Sequence, residues 1–144
     1  MATIKKSIII NASTDEIDTY AIDAHTYPQW FAGVESVDVD GVFPEVGGTV
    51  ALRYKSAGLT MDMTMKSLAI EHGKSLTIEM DGMISGTQSW LYEAVDGGTK
   101  VNCTFDYNMK GGGLGAIADK LVTERMNTQN LEKSLESLKQ IVEG

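Results

Sequence analysis

The sequence has 144 residues, 42% of them hydrophobic and 22% charged, a balance that fits one globular domain able to hold together without disulfides or metals. Twelve Lys and Arg against twenty Asp and Glu leave a net charge of −8, which argues against nucleic acid and anionic membrane surfaces as partners, because phosphate contacts need a basic patch. The one cysteine, Cys103, excludes an internal disulfide and any multi-cysteine metal site.

Residues 1–11, MATIKKSIIIN, place two lysines before a run of three isoleucines. That run is too short for a signal-peptide core, so a first strand is expected over Thr3 to Asn11. No apolar run elsewhere approaches a membrane span. A cytoplasmic protein with no stable membrane insertion is therefore expected. Ser13-Thr14-Asp15-Glu16 reads as a capping box, with Ser13 accepting from the Glu16 amide and Glu16 reaching back to the Ser13 amide. The helix it opens is expected to run to about His25. Pro28 interrupts the pattern, and Gln29, Trp30 and Phe31 then form a short second helical turn.

From Val34 onward the pattern is strand and turn. Val34 to Asp40 is one candidate. Thr49 to Ser56 alternates Val50, Leu52 and Tyr54 with Ala51, Arg53 and Lys55. Thr60 to Glu71 begins TMDMTMK, in which Met61, Met63 and Met65 alternate with Asp62, Thr64 and Lys66. That period of two puts the methionines on a dry face and the polar residues in water. Ser75 to Met80, Ile84 to Val95 and Lys100 to Lys110 are further strands. Asp96-Gly97-Gly98-Thr99 marks a hairpin between the last two, because glycine supplies the positive φ of a tight turn. In the last strand Val101, Cys103, Phe105, Tyr107 and Met109 alternate inward. Gly111-Gly112-Gly113 ends it and reads as a joint, not a phosphate loop, since no Gly-Lys-Ser/Thr follows. From Leu114 to about Val142 the period becomes helical, through Leu131, Leu135 and Leu138. Six consecutive strands with short connections predict an antiparallel meander with one covered face, and the long helix is the cover.

Four segments together resemble the polyketide-cyclase/START-like (SRPBCC) superfamily, which shares its fold with the birch-pollen allergen. IIINASTDEI is similar to its opening strand and helix cap, and DAHTYPQWFAGV to its Asp…Tyr-Pro-x-Trp segment. DGGTKV is similar to its Gly-Gly-Thr hairpin, and NLEKSLESLKQIVEG to its closing helix. The resemblance covers the whole chain. It implies an α+β helix-grip fold: a curved antiparallel sheet of about six to seven strands wrapped around the C-terminal helix, with two short helices after the first strand. It also implies an apolar cavity between sheet and helix for a lipid, polyketide or similar molecule. The superfamily shares no catalytic residue set, so it does not decide between binder and enzyme.

Within that frame the methionine ladder, Met61, Met63 and Met65, is either ordinary core or cavity wall. Met is a flexible gap-filler common on adaptable surfaces, which favours the wall, with Met80 on the same side and Met83 and Met109 as further candidates there. Gln88, Trp90 and Tyr92 share one face of a strand. With Tyr54, Tyr107 and Phe105 they are expected to line the cavity, and the amide and phenols to orient an apolar ligand. On the long helix, Leu121 faces the sheet. The apolar stripe is interrupted at Glu124, Arg125 and Thr128, which are expected near the cavity mouth. Asp23 and Trp30 read as structural. His25 and His72 are isolated, and neither suggests a metal site or a general base. No catalytic residue, metal or cofactor is assigned. The expected partner is a small hydrophobic molecule, bound by a monomer or homodimer acting as a carrier. A cyclase, aromatase or dehydratase using the same cavity is the alternative. An interaction module with a closed core is the third reading.

Overall fold

The computed structural model describes the backbone of residues 2–56, 58–109 and 116–144, and among these the side chains of all but Ser56, Leu59, Met109 and 116–123. Strand β1 (Ala2–Ile10) leads to helix α1 (Thr14–Ala21), a single 3-10 turn (Ala24–Thr26) and the four-residue helix α2 (Tyr27–Trp30). Strands β2 (Val34–Asp40), β3 (Thr49–Ser56), β4 (Leu59–Glu71), β5 (Ser75–Gly82), β6 (Ile84–Val95) and β7 (Gly98–Met109) follow, then helix α3 (Ala116–Glu143). The expected joint at residues 111–113, and the start of the predicted helix at Leu114, lie outside the described residues.

The seven strands form one antiparallel sheet in the order β1-β7-β6-β5-β4-β3-β2. Strands β2 to β7 are the expected meander, and β1 adds to β7 with Ile4 opposite Phe105 and Ile8 opposite Val101. The helices α1 and α2 carry the chain from one sheet edge to the other. This is the helix-grip α+β fold expected from the sequence. No helix among the described residues is long and apolar enough to cross a membrane.

Local chemistry explains the helix boundaries. Ser13 Oγ accepts from the Glu16 amide at 3.2 Å, but the return half of the capping box differs from expectation. The Glu16 carboxylate accepts from the Ser13 hydroxyl at 3.3 Å instead of from the Ser13 amide. Helix α1 stops at Ala21, four residues short of His25. Asp23 is extended and caps the next turn by accepting from the His25 amide at 3.1 Å, a local bond that competes with helix continuation. Pro28 does not interrupt a helix. It sits in the first turn of α2, where a missing N–H costs nothing. Between β6 and β7, Val95 pairs with Gly98, so Asp96 and Gly97 alone make the hairpin loop.

Helix α3 lies on the inner face of the sheet, with Asn127, Leu131, Ser134, Leu135 and Leu138 buried. Burying each leucine contributes on the order of 1.5–3 kcal/mol. Polar ties set the helix position. Ser134 Oγ accepts from the Ala32 amide at 2.8 Å and donates to the Asn130 carbonyl at 2.6 Å. At the far end Lys139 Nζ donates to the Ile9 carbonyl at 2.9 Å, and Glu143 accepts from the Asn11 amide at 2.8 Å. An aromatic chain fills the other side: Tyr27 and Trp30 edge to face at 5.4 Å, Trp30 and Trp90 at 5.8 Å, and Phe31 against both Trp90 and Phe105. Trp30 and Asp23 thus have the structural parts expected of them.

Two positions hold the curvature and the turns. In β6, Gly86 adopts φ +142, and a Cβ there would collide with the Asp106 carbonyl of β7. In the β4–β5 turn, Gly73 (φ +77) comes so close to α1 that a Cβ would meet Asp15 Oδ1 at 3.0 Å. The same turn brings His72 between Glu45 (Nε2 to Oε1, 2.7 Å) and Asp18 (Nδ1 to Oδ2, 3.7 Å). His72 is therefore not isolated, contrary to the sequence reading. It joins α1, the β2–β3 loop and the β4–β5 turn. The Glu45 hydrogen bond above all raises its pKa, with Asp18 adding to it. Burial raises the pKa of Asp18, opposed by its hydrogen bond from the Gly73 amide and by His72.

Both contacts have measurable consequences. Gly86→Ala forces a strained φ and displaces β7, so it lowers stability by about 1–3 kcal/mol or more, read as a lower urea midpoint. His72 gains its proton more readily when folded. Its contribution is fully present below its unfolded pKa of about 6.5 and is lost as pH rises through the raised folded value. As pH rises from the unfolded value through the raised folded one, the urea midpoint of the wild type falls, and His72→Gln loses that part of the slope.

Candidate functional site

Between the sheet and α3 the described residues enclose a cavity. From the sheet, Leu52 and Tyr54 of β3, Met63 and Met65 of β4 and Met80 of β5 line it. Ile84 and Gln88 of β6 and Phe105 and Tyr107 of β7 continue the wall. Phe31 and Val34 close the side below α2, and Asn127 faces it from α3. The lining is apolar except for Gln88, Asn127 and the two tyrosines. About 20 Å³ remains free for the centres of water-sized spheres, room for about one water.

The period of two puts the ladder where the sequence predicts. Met61, Met63 and Met65 are buried and Asp62, Thr64 and Lys66 exposed. The alternation runs on through Ser67, fully buried, and Leu68, 41% exposed, and it breaks only at the register shift between Ser67 and Ala69, after which Ala69 is exposed. Among the described residues, the thioethers that reach the cavity belong to Met63, Met65 and Met80.

Three polar groups give the cavity its chemistry. Tyr54 donates to Asn127 Oδ1 at 3.2 Å and accepts from Asn130 Nδ2 at 3.1 Å, which ties β3 to α3. Tyr107 is buried, and its hydroxyl makes no hydrogen bond of good geometry among the described residues. Burial raises its pKa, and the nearby Asn127 side chain offsets part of that rise. The phenol therefore stays protonated and able to donate.

Gln88 is 2% exposed. Its oxygen accepts from Trp90 Nε1 at 2.6 Å. An indole N–H only donates, so this contact fixes which way the amide points. The NH₂ end then faces Met80 Sδ at 3.7 Å and Met65 Sδ at 4.0 Å. Thioether sulfur is a weak acceptor. A buried donor without a proper acceptor costs about 1–3 kcal/mol, and the fold carries that cost at the cavity wall.

Of the residues singled out from sequence, Tyr54, Met63, Met65, Met80, Gln88, Phe105 and Tyr107 meet at this cavity. Others are placed differently. Met61 is only 2% exposed and lies opposite Tyr54, but it is packed beyond the cavity. Trp90 packs in the aromatic chain and orients Gln88. Tyr92 is buried further along β6, its pKa raised by burial first and then by Asp18. Arg125 is exposed, so it does not face the sheet. Glu124 and Thr128 are half-buried, with Thr128 Oγ1 donating to the Glu124 backbone carbonyl at 2.8 Å, and Glu124 lies close enough to Tyr107 to add to the rise in its pKa that burial causes, in keeping with the expected place near the cavity. Met83 is 38% exposed and faces away. The side chains of Leu121 and Met109 lie outside the described residues.

Asn127 was missed by the sequence reading, although a signal for it exists. It falls four residues before Leu131 and seven before Ser134, on the stripe that α3 buries. Phe31, Val34, Leu52 and Ile84 carry no signal beyond ordinary apolar patterning. Cys103 is fully buried, and burial pushes its thiol pKa well up, so it is an inert core residue. Among the described residues, no group of three or more His, Cys, Asp or Glu is placed to hold a metal ion.

The fold recurs in solved structures. The Zhui aromatase/cyclase from Streptomyces sp. R1128 superposes with a TM-score of 0.85 at 15% identity, covering 99% of this chain and 93% of that one. TTHA0849 from Thermus thermophilus gives 0.84 at 18% identity, covering 98% and 97%. Ara h 8.0201 gives 0.73 at 15% identity, covering 98% and 97%. Identities this low establish the shared fold alone. No curated protein is detectably similar in sequence. The family model described as polyketide cyclase / dehydrase and lipid transport matches residues 1–143, and on that match the chain belongs to this family.

Proposed function

We propose that the protein binds a small apolar molecule in the cavity between sheet and α3, as a carrier or binding protein. The observation that carries this reading is the wall made by Met63, Met65 and Met80. Ligand pockets usually measure about 300–1,000 Å³, far more than the free space here. Unbranched thioether side chains with three rotatable bonds fill irregular gaps and repack at low cost. The methionines occupy the ligand's place when it is absent and move aside when it enters. Family membership supports the same reading, since its description joins cyclases and dehydrases to lipid transport.

A second reading is an enzyme of the cyclase or dehydratase type, favoured by the fold shared with an aromatase/cyclase. Proton transfer needs a group with a pKa near the working pH aimed at the substrate. Among the described residues the cavity wall presents no carboxylate and no imidazole, and the Tyr107 phenol is held protonated. Binding is therefore the better supported of the two. Native mass spectrometry of freshly purified protein tests it directly, with a co-purified apolar compound as the expected result.

Met63→Gln puts a polar amide into the wall. It lowers the affinity for an apolar fluorescent dye by about tenfold, equivalent to about 1.4 kcal/mol. Its stability loss stays below the roughly 2–5 kcal/mol of truncating a fully packed core residue. A dye titration beside a urea melt measures both. Unchanged dye affinity with collapsed stability would make the ladder plain core and refute the cavity reading.

A further inference from the structure

The weakly paired donors of the cavity wall define what the ligand must carry. Gln88 is buried and its orientation is locked by the Trp90 N–H, so its NH₂ group is held toward the cavity with only Met65 and Met80 sulfurs as partners. Tyr107 lines the same cavity from the neighbouring strand, its hydroxyl beside the Asn127 side chain but in poor hydrogen-bond geometry. Gln88 pairs with Phe105 and Gly86 pairs with Tyr107, so Gln88 and Tyr107 are diagonal neighbours. Such pairs lie roughly 7–8 Å apart at the backbone, within reach of one atom by two long side chains. Gly86 leaves the intervening wall position without a side chain. Both groups donate, and apart from Tyr54 the remaining sheet lining of the space they face is apolar.

We propose that the ligand is an apolar, ring-sized molecule bearing a carbonyl-type acceptor oxygen in its interior, and that Gln88 Nε2, assisted by the Tyr107 hydroxyl, receives that oxygen when the Met65 and Met80 thioethers withdraw. Gln88 is then a specificity-determining residue. A pure hydrocarbon leaves its donors unsatisfied, whereas a ketone replaces two weak sulfur contacts with a proper hydrogen bond. A carboxylate head group is disfavoured, because no cation among the described residues lines the cavity to offset its burial. The inference rests on the cavity being the binding site.

The test uses two matched probes, 2-acetylnaphthalene and 2-ethylnaphthalene, which differ by one oxygen in place of two hydrogens. Each is titrated into the full chain and into Gln88→Met, whose side chain is close in size. The expected result is a loss of about tenfold in ketone affinity in Gln88→Met, with hydrocarbon affinity unchanged or raised, since the variant no longer buries an unsatisfied donor against it. Equal changes for both probes overturn the proposal while leaving the cavity reading intact. Failure of both probes to bind the wild type overturns the two together. Should Gln88→Met not fold, the infrared carbonyl band of the ketone bound to the wild type decides the matter. A shift to lower frequency than in hexane supports donation, and a hexane-like band refutes it.

Discussion

One geometric mismatch governs this molecule: a single helix must cover a seven-stranded sheet. Six gaps of about 4.8 Å make the sheet roughly 29 Å wide, while a helix with its side chains is only about 10–12 Å across. A flat sheet would leave most of its apolar face wet. The sheet instead curls around α3, and the curl needs places where the backbone bends sharply, such as Gly86 against β7. Curling encloses more volume than the helix fills. Large side chains take up the remainder: the aromatic chain of Tyr27, Trp30, Phe31 and Trp90 on one side and the methionines on the other. The cavity is thus a consequence of the architecture.

The two fillings differ in kind. Aromatic rings packed edge to face have few rotamers and a definite geometry, so that half of the interior is rigid. It also carries positioning work, since Trp90 points the Gln88 amide. The methionine half has no such specificity. Its side chains touch one another and a misfit amide, which leaves it the part of the interior able to reorganise. The helix is held at both ends of this contrast, by Ser134 and Ala32 near α2 and by Lys139 and Glu143 at the end of β1. Tyr54 with Asn127 and Asn130 adds a polar tie beside the methionines.

Most of the fold was legible before any coordinates. Strand and helix periods depend only on which faces are apolar, and faces follow from backbone geometry that is local to each element. The strands from Val34 onward, the Asp96-Gly97 hairpin, the inward ladder of Met61, Met63 and Met65 and the stripe through Leu131, Leu135 and Leu138 all came from that rule. The order and spacing of four weak motifs pointed to the family, because together they span the chain. The helix ends were less legible, since Asp23 and Pro28 act through caps that depend on the next turn.

The tertiary structure alone decided which inward residues share one space. Met61 and Met63 have the same sequence signature, yet only Met63 reaches the cavity, because curvature separates neighbours along one strand. Gln88 was expected to orient an apolar ligand, but the direction of its amide was decided only when Trp90 and two sulfurs were placed around it. Asn127 drew no notice in the helical pattern until Tyr54 was brought to it from 73 residues away. His72 read as isolated until a turn carried it between Asp18 and Glu45. The sequence by itself determined the elements, their faces and the family, because these rest on local backbone periods and on motif order. The tertiary structure decided the cavity wall, the weakly paired donors and the ion-pair clamp, because these depend on pairings between distant segments that no local period encodes.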